Sequence, residues 1–219
     1  MQDGSHIDDP HQKAQHAVRA LRNRVGRLDD DAIDLILRDA RSHYAWTDRP
    51  VSEETLRALY EITINGPTSM NTCPARFVFV VSDAGKDRVA KSLKPKNVEK
   101  MRAAPVTVII AWDPLYWHQL DFLFPHDDRK PLFDGKEDYA HETAFRNSTL
   151  QGAYLMIAAR ALGLDVGAMS GFSNQAIDEE FFSENGWKSN FLCNLGYADE
   201  TAIFQKLPRF EFEDICEIL

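Results

Sequence analysis

Four short stretches of this 219-residue sequence carry polar and basic side chains in combinations that could hold a ligand. Arg41-Ser42 sets a guanidinium beside a hydroxyl. The stretch GPTSMNTCPARF, residues 66–77, places Thr68, Ser69 and Asn71 behind Gly66-Pro67, a pair that stops helices. Asn97 and Lys100 stand three apart in NVEKM, which puts them on one face of a short helix. Lys206-Leu207-Pro208-Arg209 brings two cations beside a proline. Together these suit an anionic ligand with a phosphate at one end and a hydrogen-bonding ring at the other. The cations would serve the phosphate, the amides and hydroxyls the ring. Taken singly, each has an ordinary reading: a lone Lys or Arg is usually a solvated face, a lone Asn a turn, and 66–77 a polar helix-to-strand loop.

Other chemistries fail on their own motifs. The chain has neither GxGxxG after a strand nor GxxxxGK[ST], so no Rossmann or P-loop phosphate site is indicated. His141-Glu142 begins like HExxH, but Phe145 stands where the second histidine belongs. His118 and His126 have no matching ligand pair and read as surface or packing histidines. Ser170-Gly171 lacks the GxSxG frame of a nucleophile elbow. Cys73 is a thiol without a partnered histidine in a known arrangement. A net charge of -9 argues against a nucleic-acid partner, which needs a basic face. The three cysteines, Cys73, Cys193 and Cys216, are far apart and suggest a reducing compartment. With no apolar run of membrane-spanning length and no signal-peptide core, the expectation is a cytoplasmic protein.

The elements that must position these residues follow from periodicity. Residues 1–29 form a polar N-terminal extension, opening MQDGSHIDDPHQKAQ; its GSH suggests a tag remnant, and a basic helix over 14–25 is weakly specified. Ile33, Leu35, Ile36 and Leu37 cluster in a helical window over 30–39. Ser52 caps the next helix, Glu53 and Glu54 occupy its first turn, and Leu56, Leu59, Tyr60 and Thr63 fall at helical spacing. Residues 77–81 read as a buried strand, 84–93 as a polar helix, and 105–112 as a strand apolar on both faces and hence central. Residues 115–139 are irregular, rich in aromatics and charges. A long helix is expected over 141–162, buried where it is apolar nearly all round, with Gly163 at its C-terminal cap. Strands at 164–169 and 191–197 complete an α+β domain over 30–219: a sheet of four or five strands with helices on both faces.

The residues above, with Trp46, Pro74, the stretch AFRNSTLQGAYLMIAARALGLD, the turn Met169-Ser170-Gly171-Phe172 and residues 194–197, resemble the flavin-dependent nitroreductase family in order and spacing. The resemblance covers about residues 33–219. Within the family the chain looks most like the malonic semialdehyde reductases (3-hydroxypropanoate dehydrogenases) of pyrimidine catabolism, the RutE type. This implies a nitroreductase-like central mixed sheet in an intertwined homodimer with two FMN sites at the interface. NADPH or NADH would be the hydride donor. By the same resemblance Pro67, Thr68, Ser69 and Asn71 approach the flavin ring and ribityl chain. Arg41, Ser42, Lys206 and Arg209 hold the phosphate, and Asn97 and Lys100 lie near the ring's pyrimidine edge. Met169, Ser170 and Gly171 set a backbone N–H against the flavin N5, and no side chain is implied as a covalent catalyst. The end segment FEFEDICEIL is an expected part of the subunit contact.

The sequence also departs from the family pattern. Tyr44 stands where another basic residue is common, and Cys73 and Ala75 replace a Gln and a Trp of the loop. Three functions stay open on the sequence: reduction of malonic semialdehyde by ping-pong hydride transfer, general reduction of nitroaromatics, quinones or enones on the same scaffold, and non-enzymatic flavin binding. A carboxylate-bearing substrate would need a cation, for which Arg129 and Lys130 in the irregular segment and Arg146 in the long helix are the candidates. Their ordinary reading is solvated charge beside acids such as Asp127 and Asp128.

Overall fold

The computed structural model describes residues 9–219; the opening octet, with its GSH, lies outside the described residues. Helix α1 (Pro10–Arg22) buries none of its side chains. It starts earlier than the expected 14–25 because Pro10 is at its first turn and the Asp9 carboxylate accepts from His11 N. The helix expected over 30–39 forms as a short α2 (Asp30–Ile33) running into a π-helical turn, Asp34–Arg38. Arg38 clamps that turn, bridging to Asp34 at 2.6 Å and Asp30 at 2.8 Å.

Helix α3 (Glu53–Thr63) is capped as its sequence requires: Ser52 Oγ accepts from Thr55 N at 3.2 Å. Leu56, Leu59 and Thr63 are buried, whereas Tyr60 turns outward and is 48% exposed. Strand β1 (Ala75–Val80) leads to α4 (Asp83–Ala90) and α5 (Pro95–Ala103). Strand β2 (Val106–Trp112) is buried at every position, as its two-sided apolar pattern demands. Between it and the long helix α7 (Glu137–Ala161) lie short turns and α6 (Leu120–Leu123). Gly163 follows α7 at φ 75°, the left-handed conformation that a glycine adopts without a Cβ clash. Strand β3 (Asp165–Met169), α8 (Asn174–Phe181), β4 (Lys188–Gly196) and the single turn α9 (Phe212–Ile215) complete the chain.

The sheet order is β1-β2-β4-β3, which puts β2 inside as expected. All three strand pairs are antiparallel, not mixed. The parallel component is a single bridge, Ser42 to Val166 on the outer edge of β3. Strand β4 begins before the expected residue 191, because a register shift at Ile110/Ala111 lets Ser189 and Lys188 continue pairing with β2. Helices cover both faces. On one, Leu56 and Leu59 of α3 and Leu155 and Ala159 of α7 pack against Val108, Ile110, Cys193 and Leu195. On the other, Val89, Met101 and Ile177 meet Ile109 and Leu192. The irregular segment packs Tyr116, Leu120 and Phe133 against Trp112, Ala140 and Ala144.

Two apolar surfaces remain uncovered within one chain. Helix α7 was expected to be buried where its second half is apolar nearly all round, yet Ile157 stays exposed there, as do Phe145 and Leu150 nearer its start. Beyond Ala202 the chain carries Phe204, Phe210 and Ile218 into solvent, each more than two-thirds exposed. Both are surfaces that a second apolar partner would cover.

Candidate functional site

A cavity of about 410 Å³ opens where residues 40–44 meet the segment after Ala202. One wall, residues 40–44, is fixed to the edge of β3. Ser42 bridges Val166, and His43 N donates to the Val166 carbonyl at 2.9 Å. Its other wall, residues 203–209, is anchored at its start by Asp199 N donating to Ala45 O at 3.1 Å. Arg41 Nη2 donates to the Phe204 carbonyl, and the Tyr44 and Phe204 rings lie 5.9 Å apart.

The structure therefore brings together the four residues expected to hold a phosphate: Arg41, Ser42, Lys206 and Arg209 all line this cavity. A fourth cation joins Arg41, Lys206 and Arg209. Arg160 of α7 reaches in beneath residues 36–41, donating to Ile36 O at 3.1 Å and Arg41 O at 3.4 Å. Burial lowers its pKa from the ordinary guanidinium value. The lining contains no carboxylate, and among the described residues none of the four cations makes an ion pair. The Tyr44 hydroxyl is also buried here without a hydrogen-bond partner. Four cations without an ion pair, in a lining with no carboxylate, and an orphan hydroxyl call for an anion with several acceptor oxygens. A larger groove of about 640 Å³, between α3 and the outer edge of β1, carries Glu53 and Glu61 against Arg57 and lacks that surplus of positive charge.

Helix α5 extends the site. Lys100 Nζ lies 5.1 Å from the centre of the Tyr44 ring, and Lys100 O accepts from Asn194 Nδ2 at 3.1 Å. One turn earlier, Asn97 Nδ2 donates to the Gly171 carbonyl at 3.1 Å, and Lys94 N donates to the same oxygen at 3.2 Å. Met169, Ser170 and Gly171 thus leave β3 directly against α5, with no room for a Cβ at Gly171 because Asn97 Nδ2 occupies it. Helix α5 thus meets the cavity through Lys100 and Tyr44 and, one turn earlier, the turn after β3 through Asn97 and Gly171.

The 66–73 loop sits elsewhere in the chain. Tyr154 OH donates to Pro67 O at 2.9 Å, Ser69 N donates to Asn147 Oδ1 at 2.8 Å, and Asn71 Nδ2 donates to Leu123 O at 2.8 Å. The Thr68 hydroxyl accepts from Cys73 N at 3.2 Å. Met70, Asn71 and Cys73 all have positive φ, between 40° and 51°. Three non-glycine residues in the left-handed region within four positions hold strain of about 1–3 kcal/mol each, which the surrounding hydrogen bonds must offset. The loop is a fixed shape pinned to α7, and it is not part of the cavity lining. The Cys73 thiol contacts Thr68 Oγ1 and Asn71 Oδ1, with no histidine beside it.

The three substrate candidates each face an acid of their own segment. Arg129 bridges Asp127 at 2.9 Å, Lys130 pairs with Asp121, and Arg146 pairs with Glu142. No group of three or more His, Cys, Asp or Glu among the described residues is arranged to hold a metal.

Sequence reasoning passed over Arg160. It lies in MIAARALG, where apolar neighbours mark a buried helix, and only the packing of α7 under residues 36–41 reveals its direction.

Comparison with known proteins gives the family. A sequence model of the nitroreductase family matches residues 37–197. A Rhodopseudomonas palustris protein named for NADH dehydrogenase/NAD(P)H nitroreductase activity is 50% identical over 192 residues, covering 88% of this chain and 98% of that protein. Among solved structures, a nitroreductase from Exiguobacterium sibiricum in complex with FMN superposes with a TM-score of 0.76 at 22% identity, covering 89% of this chain and all of that one. A gut-bacterial enone reductase of fatty acid saturation superposes with a TM-score of 0.73 at 18% identity, covering 87% and 99%. The match spans most of the domain and half of all aligned residues in the R. palustris protein are the same: the chain belongs to the nitroreductase family.

Proposed function

We propose that the protein is an FMN-dependent NAD(P)H oxidoreductase whose flavin phosphate occupies the basic cavity. The observation that carries this reading is the convergence of Arg41, Arg160, Lys206 and Arg209 without a carboxylate, around a buried Tyr44 hydroxyl that lacks a partner. That donor set fits a phosphate monoester dianion. The E. sibiricum neighbour's bound FMN and the R. palustris relative's name point the same way. When bound, FMN supplies two-electron hydride acceptance and donation.

The chain's own residues do the positioning. Arg41, Lys206 and Arg209 offer charged donors to the phosphate, and Ser42 and Tyr44 add hydroxyls. Lys100 and Asn97 extend polar contact towards the 169–171 turn, where the Gly171 N–H can face the ring with its carbonyl already held by Asn97 and Lys94. Residues 30–219 act as the flavin domain, with 1–29 an extension.

The loop supplying Pro67, Thr68, Ser69 and Asn71 reaches the flavin of a second copy in this reading. It lies outside the cavity of its own chain, and the exposed row Phe145, Leu150 and Ile157 on α7 and the apolar C-terminal arm offer the faces of a homodimer. The acceptor we assign first is malonic semialdehyde, with general reduction of nitroaromatics, quinones or enones second; the enone-reducing structural neighbour and the R. palustris name favour that second reading. The expected compartment is the cytoplasm, and among the described residues no helix is long and apolar enough to cross a membrane.

The test is direct. The protein should purify yellow, release free FMN on heating, and oxidise NADH or NADPH with one class of acceptor in a steady-state panel. A colourless protein that cannot be reconstituted with FMN would sink the flavin assignment. Equal turnover of quinone and semialdehyde would remove the preference for the latter.

A further inference from the structure

Beside the basic cavity lies a half-buried imidazole to which the flavin reading gives no role. His43 stands between two lining residues, Ser42 and Tyr44, with its side chain only 14% exposed. Its Nε2 lies 3.3 Å from Asp165 Oδ1 at the start of β3. Neither member of the pair is free to drift. His43 N is bonded to Val166 O, and the other Asp165 oxygen accepts from Ala198 N at 2.8 Å.

The charged groups facing this imidazole are few. Asp165 approaches from β3, Arg41 from the imidazole's own segment and Arg160 from α7. From β4, Cys193 lies near Arg160, but burial pushes its thiol up to about 12, so it carries no charge. Trp46 adds an apolar ring 6.4 Å away. One carboxylate therefore favours the imidazolium, while burial and two guanidiniums oppose it, and the balance holds His43 below its ordinary pKa. Both opposing guanidiniums line the anion cavity, and together with Asp165 they also line a smaller cleft of about 80 Å³ beside it.

Resting on the reading that FMN phosphate fills this cavity, we propose that His43, held by Asp165, is a proton-linked positioning residue of the phosphate site. A phosphate dianion on Arg41 and Arg160 offsets their share of the penalty on the imidazolium, which adds to the larger penalty of burial. His43 then takes a proton from solvent and forms a charged pair with Asp165. That pair fastens the Ser42–Tyr44 backbone to β3 while the anion is present. Linkage is reciprocal: if binding draws in a proton, lowering the pH tightens binding.

The test titrates FMN into flavin-stripped protein by calorimetry between pH 6.5 and 8, in buffers of different ionisation enthalpy, and reads protons taken up per FMN. The phosphate's own second ionisation, near pH 6, contributes equally to all variants. Wild type should take up roughly half a proton more than His43→Asn near neutral pH, and its affinity should rise about three- to tenfold per unit fall in pH relative to that variant. Asp165→Asn should move the extra uptake to lower pH. Riboflavin, without the phosphate, should show none of it. Should His43→Asn fold poorly, the His43 imidazole resonance of wild type gives the same answer, its midpoint moving up when FMN binds. Equal proton counts with an unmoved resonance would overturn the linkage while leaving FMN binding intact. Absence of FMN binding at every pH would overturn the flavin reading and this inference with it.

Discussion

Asn97 Nδ2 donates to the Gly171 carbonyl at 3.1 Å and fills the space that a side chain at Gly171 would need. One amide thus fixes the turn after β3 and would have to swing away, breaking this bond, to admit a Cβ there. Gly171→Ala should cost about 1–3 kcal/mol through overpacking, read as a lowered Tm, and should weaken FMN retention as the turn shifts. Adding Asn97→Ala should relieve the clash. The double variant should be more stable than the sum of the two single losses predicts. Strict additivity would show that the two residues do not share this contact.

The cavity cations give the second prediction. Arg41→Ala or Arg209→Ala should lower FMN affinity roughly ten- to a hundredfold each, since a charge-assisted hydrogen bond contributes about 1.5–3 kcal/mol. The two are not equivalent in the structure. Arg41 also binds the Phe204 carbonyl and so holds the 203–209 wall, whereas Arg209, among the described residues, bonds to the nearby carbonyls of Leu207 and Pro208. Arg41→Ala should be the more damaging and should also raise protease sensitivity beyond Ala202. Unchanged flavin fluorescence titrations in both variants would mean that the phosphate lies elsewhere.

These contacts also show what a sequence can disclose. Ser52, the strand 105–112 and Gly163 were legible because each local preference has one structural outcome: a cap, a strand buried on both faces, a left-handed turn. The set that lines the basic cavity was legible only through the ordered spacing of Arg41, Ser42, Lys206 and Arg209 along the chain, since composition says nothing of which cations converge. Arg160 and His43 were not legible. Each is one polar residue in a locally apolar or mixed segment, and its role depends on α7 crossing beneath residues 36–41 and on β3 lying beside residue 43. The π-helical turn at 34–38 was hidden for a related reason: its side-chain pattern is that of an ordinary helix.

The cysteines should separate by environment. Cys216 is exposed, Cys73 is half-buried and Cys193 is fully buried, with its thiol pushed up to about 12 by desolvation. A thiol reagent at pH 8 should modify Cys216 quickly and Cys73 more slowly, and reach Cys193 only after denaturation. Mass mapping of the modified sites checks the order. Protection of Cys216 in the native protein would instead show that the C-terminal arm is covered by a second copy.

Acid stability follows from the same His43 balance. A base whose pKa is lowered on folding binds its proton more readily in the unfolded chain. Its contribution is therefore intact above the ordinary histidine value of 6.5 and is lost as the pH falls through and below that value. Flavin-free protein should lose stability as the pH falls below 6.5, and His43→Asn should flatten that part of the profile. Bound FMN should flatten it too, by favouring the imidazolium in the folded state. Denaturant midpoints across this range measure both effects, and a wild-type slope unchanged in the variant would assign the acid loss to other groups.

The last prediction concerns the acceptor. Malonic semialdehyde carries one carboxylate, and burying it beside a flavin requires a cation to offset the lost hydration. In the free chain, Arg129, Lys130 and Arg146 are each engaged with an acid of their own segment: Asp127, Asp121 and Glu142. Such partly exposed pairs hold their partners weakly, at about 0–1 kcal/mol, so a substrate carboxylate can compete for one of these cations at little cost. Arg129 is the best placed to change partner, because its Nε is buried without a hydrogen bond although Nη2 is paired. Replacing the responsible cation with a neutral residue should raise KM for the semialdehyde at least tenfold while leaving KM for an uncharged quinone within about twofold, since only the first acceptor has a charge to pair. Removing the competing acid, as in Asp127→Asn, should lower the semialdehyde KM if Arg129 is the one. Equal effects on both acceptors across Arg129, Lys130 and Arg146 variants would count against a carboxylate-bearing substrate and for a general reductase of nitro compounds, quinones or enones.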